Sequence, residues 1–158
     1  MENQKKNIPD ASVKMTLAMA KVLAELVEQK ARQMGLAVVI AVADSGANPV
    51  YVACMDDSYL ASYDVAVGKA YTSVALKMDT IDLKPLAQPG ASLYGVQFTN
   101  GGKIVIFGGG VILTYGDRIL GGLGVSGGSE QQDTELAAYG REIFDCVAEN
   151  VLRMAENQ

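Results

Sequence analysis

The chain has 158 residues, of which 49% are hydrophobic and 20% charged, and its net charge is −5 with an isoelectric point near 4.7. This composition indicates one globular domain with a real core and excludes a disordered chain. The acidic balance argues against nucleic acid as a partner, because phosphate contacts require clustered Lys and Arg. The longest apolar run, residues 36–43, is too short to span a membrane. Cys54 and Cys146 stand alone and no signal peptide is visible, so we expect a cytoplasmic protein with reduced thiols.

The first elements predicted are a polar arm and an apolar helix. Residues 1–12 form the arm, and residues 13–158 form a single predicted domain. Thr16 is the predicted N-cap of a helix that Gly35 ends. The apolar positions of this helix are too broad for one buried side, so we expect it to contact the sheet and something else.

A hairpin and a second helix are predicted next. Residues 37–43 and 50–55 are apolar runs on either side of the turn sequence DSGANP. A helix then begins after an N-cap within residues 56–58 and runs to about Lys77. Gly68 lies inside this helix, where it costs about 1 kcal/mol relative to Ala, so we expect a close packing partner.

Three strands and a long helix are predicted in the second half. The strands are residues 103–107, 111–115 and 118–125, and the helix covers residues 130–154. Residues 81–95 are irregular or shortly helical. The predicted element order is therefore α-β-β-α-β-β-β-α. Strands joined by short turns run antiparallel, which predicts an α+β layer fold rather than a doubly wound one.

The sequence ILGGLGVSGGSEQQDTELAAYG, residues 119–140, matches two catalytic patterns. Gly122, Gly124 and Gly127 fit the dinucleotide fingerprint, and Ser126 fits the nucleophile elbow of hydrolases. A dinucleotide site needs a further parallel strand after the helix, which is not predicted here. The chain has no histidine to act as a base for Ser126. We therefore expect the glycines to let a strand pack tightly against a helix, and Ser126 to be structural.

Indications of a bound metal are weak. Asp44, Asp56, Asp57 and Asp64 do not have EF-hand spacing, and Asp is common at turns and caps. Zinc is disfavoured because the chain has no His and only two distant Cys. Seven Met and seven Tyr offer ligands for a metallocofactor, although Met more often fills a core.

Three segments carry a family resemblance. VVIAVADSGANPVYVACMD, residues 38–56, is similar to an apolar strand, D-x-G turn and second strand that the family shares. AVGKAYTSVAL, residues 66–76, is similar to its A-x-x-K-A-x-T-A helix. ILGGLGVSGGSEQQDTELA, residues 119–137, matches its G-x-x-G-V-S-G-G-x-x-x-Q-D-x-x-x-A block. Over residues 15–148 the chain thus resembles the GlcG/HbpS-like haem-binding proteins, which include the C-terminal domain of PduO-type cobalamin adenosyltransferases.

The resemblance implies a profilin-like α+β fold, with a five-stranded antiparallel sheet flanked by helices. It also implies homo-oligomers and, for several members, haem binding. Other members sit in operons for glycolate use or for cobalamin-dependent diol metabolism. Haem-binding PduO-type domains use a His on the first helix, which this chain does not have. Any axial ligand here is therefore Met, Tyr, Lys or Cys.

The leading hypothesis is an accessory protein that binds a small ligand or cofactor, with haem or a corrinoid as the ligand class. The pocket is predicted where residues 108–110 and 125–128 approach the helix that carries Lys69. The candidate ligand-binding residues are Lys69, Gly109, Gly110, Ser126 and Gly127. Lys69 would pair with an anionic group of the ligand, and turn N–H groups suit its carboxylates. Asp133 is expected to cap the last helix.

Two alternatives stay open. One is an enzyme acting on a small acid or carbonyl, with Lys69, Asp133 or Tyr71 in proton transfer, which without His requires strongly shifted pKa values. The other is a structural or partner-binding subunit of an oligomer, because the broad apolar first helix predicts an interface. We assign no catalytic residues from the sequence. The expected partners are a small molecule and further copies of the chain, not nucleic acid or a membrane.

Overall fold

The computed structural model describes residues 12–158, so residues 1–11 of the predicted arm lie outside the described residues. The elements are α1 (Leu17–Gln33), β1 (Val39–Asp44), β2 (Pro49–Cys54), α2 (Ser62–Leu76), α3 (Thr80–Leu86), β3 (Gly110–Tyr115), β4 (Arg118–Ser126) and α4 (Glu130–Glu156), with 3-10 turns at Val96–Phe98 and Asn100–Gly102. The predicted N-cap of α1 is confirmed, because Thr16 Oγ1 accepts the Met19 N–H at 3.1 Å. The predicted start of α2 at residues 56–58 is wrong, since this helix begins at Ser62.

The strands form one antiparallel sheet in the order β2-β1-β4-β3, which confirms the α+β class. β1 lies inside the sheet, with Ile40 opposite Ala53 on β2 and Val125 on β4. Alternate residues of β1 face opposite sides. Ile40 and Val42 pack towards α1 and α4. The alternate residues Val39, Ala41 and Ala43 pack towards α2.

The predicted five-stranded sheet is wrong, because the sheet has four strands and residues 103–107 are not one of them. The edge of β3 is instead closed by side chains at the start of α3. Gly110 N–H donates to Thr80 Oγ1 at 2.8 Å, and Ile112 N–H donates to Asp79 Oδ1 at 3.1 Å. These oxygens accept the bonds that a fifth strand would accept. The observed element order is therefore α-β-β-α-α-β-β-α.

Residues 103–107 run along α2 instead of pairing with the sheet. Val105 N–H donates to Thr72 Oγ1 at 2.9 Å, so one backbone group of this segment is satisfied by a helix side chain. A Cβ at Gly68 would lie 2.7 Å from Val105 Cγ2 and 3.1 Å from the Lys103 carbonyl oxygen. The predicted close packing partner of Gly68 is thus confirmed.

Glycines of β4 bring α2 into direct contact with the sheet. A Cβ at Gly122 would lie 2.7 Å from the Ala70 carbonyl oxygen, and one at Gly124 would collide with the Ala66 carbonyl oxygen. Both glycines face α2 because they are two positions apart in a strand. The expectation that these glycines serve tight strand–helix packing is confirmed.

Candidate functional site

α2, the glycine segment before β3 and the start of α4 meet at a buried ion pair, here called the Lys69 centre (Lys69, Asp133, Val125 and Phe107). Lys69 Nζ lies 3.1 Å from Asp133 Oδ2 and donates to the Val125 carbonyl oxygen at 2.8 Å. Its third neighbour is the ring of Phe107, whose centroid lies 5.0 Å from Nζ. Lys69 is fully buried and Asp133 is 4% exposed. The three predicted segments therefore do come together.

Burial is the dominant influence on the charge of Lys69. Loss of hydration lowers the pKa of its ammonium group below the usual 10.5, while the carboxylates of Asp133 and Glu130 act in the opposite direction. An ammonium group with protein partners on several sides and no exposed surface offers no face to a substrate. Proton transfer by Lys69, as in the enzyme alternative, would require this centre to open.

Gly109 and Gly110 let the chain pass directly against Lys69. Gly109 has φ +117°, which favours glycine, and a Cβ there would lie 2.7 Å from Lys69 Nζ. A Cβ at Gly110 would lie 2.6 Å from the Lys69 carbonyl oxygen and 2.7 Å from Thr80 Cγ2. The pair of glycines is therefore required by close packing, and at Gly109 also by the backbone conformation.

Carboxylates of the chain itself occupy the donors at the start of α4. Asp133 Oδ1 accepts the Gly128 N–H at 2.8 Å, which confirms its expected capping role. Glu130 Oε2 accepts the Gly108 N–H at 3.1 Å, and its other oxygen pairs with Lys84. The bond from Lys84, followed by the bond from Gly108, lowers the pKa of the Glu130 carboxyl. Gly108 and Gly128, two of the turn residues whose N–H groups were expected to receive a ligand's carboxylates, thus donate to carboxylates of the protein instead.

Ser126 and Gly127 lie in the turn between β4 and α4. Ser126 is 7% exposed, and its hydroxyl lies 3.2 Å from that of Ser62 in a hydrogen bond. Gly127 has φ +147°, and a Cβ there would lie 2.6 Å from the Ala37 carbonyl oxygen. Both positions have clear structural roles. Contact between either residue and a ligand stays a prediction.

An open cleft of about 750 Å³ lies along another face of α2. We call it the α2 cleft; its walls come from the β1–β2 turn, from α2 and from residues 102–105, and include Ala47, Pro49, Val65, Tyr71, Lys103 and Val105. A volume of this size is typical of small-molecule sites. The sequence did not predict the cleft, because its walls come from three distant segments and its candidate residues Asp64 and Tyr71 were assigned to different kinds of site.

A groove of about 540 Å³ lies between α1 and α4. This α1–α4 groove is lined by residues that include Val22, Leu26, Tyr139, Ile143, Cys146 and Met154. Its lining is mainly apolar, and the thiol of Cys146 is free. Within residues 12–158 there is no cluster of three or more His, Cys, Asp or Glu suited to a metal ion. No helix in the same part of the chain is long and apolar enough to cross a membrane.

Comparison with known proteins identifies the family. The model of the family described as "Haem degrading protein HbpS-like" matches residues 15–142. An uncharacterized 15.0 kDa protein from the dhaT-dhaS intergenic region of Citrobacter freundii is 43% identical over 135 residues, which cover 85% of this chain and 93% of that relative. The corrinoid adenosyltransferase PduO of Salmonella typhimurium (strain LT2) is 40% identical over 109 residues, which cover 69% of this chain but 32% of the enzyme.

A solved structure agrees with these sequence matches. The crystal structure of the PduOC–haem complex is similar with a TM-score of 0.79 and 35% identity, over 82% of this chain and 94% of that chain. Sequence and fold therefore lead to the same group of proteins, and the chain belongs to the HbpS-like family.

Proposed function

We propose that this protein is an accessory protein that binds a tetrapyrrole in the α2 cleft, with haem as the first candidate and a corrinoid as the second. The haem complex of PduOC, whose chain is 35% identical to this one, supports the ligand class. The observation that carries the proposal is the cleft itself. It has a volume of about 750 Å³ and mainly apolar walls, and its lining includes the hydroxyl-bearing Tyr71 and the positively charged Lys103.

The residues of the α2 cleft fit haem chemically. Val65 and Val105 offer apolar surface to a flat macrocycle, and the exposed Lys103 brings positive charge to the wall of the cleft. The chain has no histidine, but Tyr also serves as a haem ligand in proteins, and Tyr71 lies in the wall of the cleft. Bound haem would supply an iron centre for redox or ligand-sensing chemistry, whereas this chain would hold it and limit its access to solvent.

The Lys69 centre supports this cleft in the proposal. Residues 103–107 link the two sites, because Val105 lines the cleft while Phe107 lies over the Lys69 ammonium group. The predicted site residues Lys69, Gly109, Gly110, Ser126 and Gly127 then act by fixing α2 and the neighbouring segments in position. In the enzyme alternative, proton transfer by Lys69 or Asp133 is less well supported, because both side chains are buried, and Tyr71 is the candidate that stays accessible.

The proposal is tested by absorption titrations of purified, tag-free protein with hemin and, separately, with hydroxocobalamin. We expect hemin to saturate near one per chain. Val65→Trp, which fills the α2 cleft, should weaken binding by at least about tenfold, equivalent to 1.4 kcal/mol. Val22→Trp, which fills the α1–α4 groove, is the matched control and should bind as the wild type does.

Other results would redirect or end the proposal. Selective loss of binding in Val22→Trp would place the ligand in the α1–α4 groove. Absence of saturable binding of either tetrapyrrole to the wild type would end it. Light scattering on both variants separates loss of a ligand site from loss of an assembly.

We also propose that the protein forms homo-oligomers. The outer surface of α1 and the end of α4 expose large apolar side chains, with Leu17 55%, Val22 39% and Met154 67% exposed. Exposed apolar surface of this kind is typical of interfaces. Light scattering should give a mass above that of one chain, and a stable monomer near 16.7 kDa at micromolar concentration would contradict this.

The cellular setting is likewise a proposal. A location in the cytoplasm agrees with two free, exposed thiols in the described residues. A link to cobalamin-dependent diol or glycerol metabolism is supported by the similarity to a corrinoid adenosyltransferase. A link to glycolate metabolism has no comparable support here. The hydroxocobalamin titration bears directly on the corrinoid link.

A further inference from the structure

We infer that Tyr71 ligates ferric iron when haem binds in the α2 cleft, with Lys103 balancing the charge of the phenolate. This inference rests on the proposed function, because it assumes haem as the ligand of the cleft. It adds an identified ligand atom, Tyr71 Oη, in a chain that has no histidine.

Tyr71 is held in place while its hydroxyl hydrogen remains available. The side chain is half-buried in the wall of the cleft. Its oxygen accepts a hydrogen bond from Asn100 Nδ2 at 3.1 Å, and in the hydrogen bonding of residues 12–158 it acts only as an acceptor. A phenol whose own hydrogen has no protein acceptor can release that proton to solvent and bind a metal ion through its oxygen, without breaking a contact of the fold.

A tight turn brings an amide and a cation to the same phenol. Asn100 has φ +50°, and Gly101 and Gly102 follow with φ +65° and +78°, so the chain reverses within a few residues. This turn places Lys103 Nζ 5.3 Å from the centroid of the Tyr71 ring. Asn100 therefore orients the oxygen, and Lys103 supplies positive charge beside the ring of the same residue.

The other donors of the cleft are less suitable for haem iron. Asn48 and Asp64 offer amide and carboxylate oxygens, which are typical ligands of Ca²⁺ and Mg²⁺. A tyrosine oxygen, in contrast, is a known protein ligand of haem. Lys103 also lines the cleft and is the lysine candidate there, but we assign its ammonium group to charge balance. The cysteine and methionine candidates Cys146 and Met154 line the α1–α4 groove.

Ligation by Tyr71 has a simple proton balance. The hydroxyl proton passes to buffer, the phenolate oxygen takes the place of a solvent ligand, and no electron is transferred, so the iron stays ferric. One proton is released for each haem bound. Affinity should therefore rise with pH, because a reaction that releases a proton is favoured at lower proton activity.

The experiment is a hemin titration of wild type, Tyr71→Phe and the control Tyr139→Phe, with the full chain in each case. The readouts are the Soret band, the phenolate-to-iron charge-transfer absorption and the phenolate vibrations in resonance Raman spectra. We expect Tyr71→Phe to lose the phenolate signals and to bind at least about tenfold more weakly. Tyr139→Phe, whose tyrosine lines the α1–α4 groove, should match the wild type. Circular dichroism should show that both variants fold.

The outcomes separate this inference from the proposed function. Haem binding by the wild type without phenolate signals would overturn the role of Tyr71 and leave the tetrapyrrole proposal standing. Unchanged signals and affinity in Tyr71→Phe, or their loss in Tyr139→Phe, would have the same effect. No binding to the wild type would overturn both. Lys103→Gln should keep the phenolate signals and weaken binding, since it removes only the balancing charge.

Discussion

The two faces of the sheet are packed by different means. Towards α1 and α4 the core consists of large apolar side chains, such as Leu23, Leu123 and Phe144, each 0–1% exposed. Towards α2 the contact is made by alanines, glycines and the buried ion pair of Lys69 and Asp133.

The two faces therefore differ in how they respond to substitution. Large apolar side chains stabilise through buried volume and tolerate exchanges that conserve it. The α2 face tolerates little change, because backbone atoms lie where added side-chain atoms would have to go. The α2 cleft lies beside this second face, so the proposed ligand site would adjoin the part of the core that tolerates the least change.

The largest effect is expected from breaking the ion pair. Lys69→Met should lower the free energy of unfolding by about 3–5 kcal/mol, because Asp133 would keep a buried charge without its partner. The double variant Lys69→Met/Asp133→Leu should recover most of this loss, apart from the bond to Gly128. Urea denaturation measures both. A loss below about 1 kcal/mol in the single variant would mean that water readily reaches this pair, as it does a surface pair.

On the face of the sheet towards α1 and α4, we expect the buried side-chain volume to determine the free energy of unfolding. Leu123→Ala should cost about 2–5 kcal/mol through lost burial and a cavity, whereas Leu123→Met should cost less than about 1.5 kcal/mol. Equilibrium unfolding of the pair tests this. Equal costs for the two variants would show that shape, and not volume, dominates this core as well.

Gly110→Val should lower the free energy of unfolding by more than about 2 kcal/mol, beyond the ordinary range for a substitution in a surface loop. The reason is collision with the Lys69 carbonyl oxygen and Thr80, since a Cβ would lie 2.6 and 2.7 Å from them. Gly90→Val is the control, because nothing lies within 4 Å of its Cβ, although its φ of +83° adds strain. Similar stabilities for the two variants would contradict the close-packing argument. Haem affinity of folded Gly110→Val should fall less than that of Val65→Trp, because Gly110 positions α2 but does not line the α2 cleft.

Stability should also depend on pH through Glu130. The hydrogen bond from Lys84, and then that from Gly108, lower the pKa of this carboxyl below its usual 4.5. A carboxyl group with a lowered folded pKa stabilises the fold above its unfolded pKa and loses that contribution as pH falls through the folded value. The free energy of unfolding should fall less steeply with acid in Glu130→Gln. Parallel curves for variant and wild type would refute this role.

The smallest effect is expected at Ser126. Ser126→Ala removes one hydrogen bond, to Ser62, and should cost about 1 kcal/mol while leaving haem affinity within a few-fold. Thermal unfolding and a hemin titration check this. Stoichiometric labelling of Ser126 by a fluorophosphonate would instead indicate an activated nucleophile.

The sequence by itself determined the parts of the molecule that depend on near neighbours. The Thr16 cap, the β1–β2 hairpin and the strand–turn–helix of β4 and α4 follow from residues a few positions apart. The glycines of β4 also predicted tight packing of this strand against a helix, because residues two positions apart lie on the same face of a strand.

Only the tertiary structure decided the contacts and the cleft that segments distant in sequence form together. Asp79 and Thr80 accept the hydrogen bonds at the edge of β3. The strand predicted at residues 103–107 therefore does not join the sheet. Lys69 pairs with Asp133, 64 positions further along the chain, and so is buried rather than free for a ligand. The α2 cleft combines walls from three segments that no local pattern relates. Such contacts depend on how the whole chain excludes water and satisfies its polar groups, so they emerge only when the layers have packed.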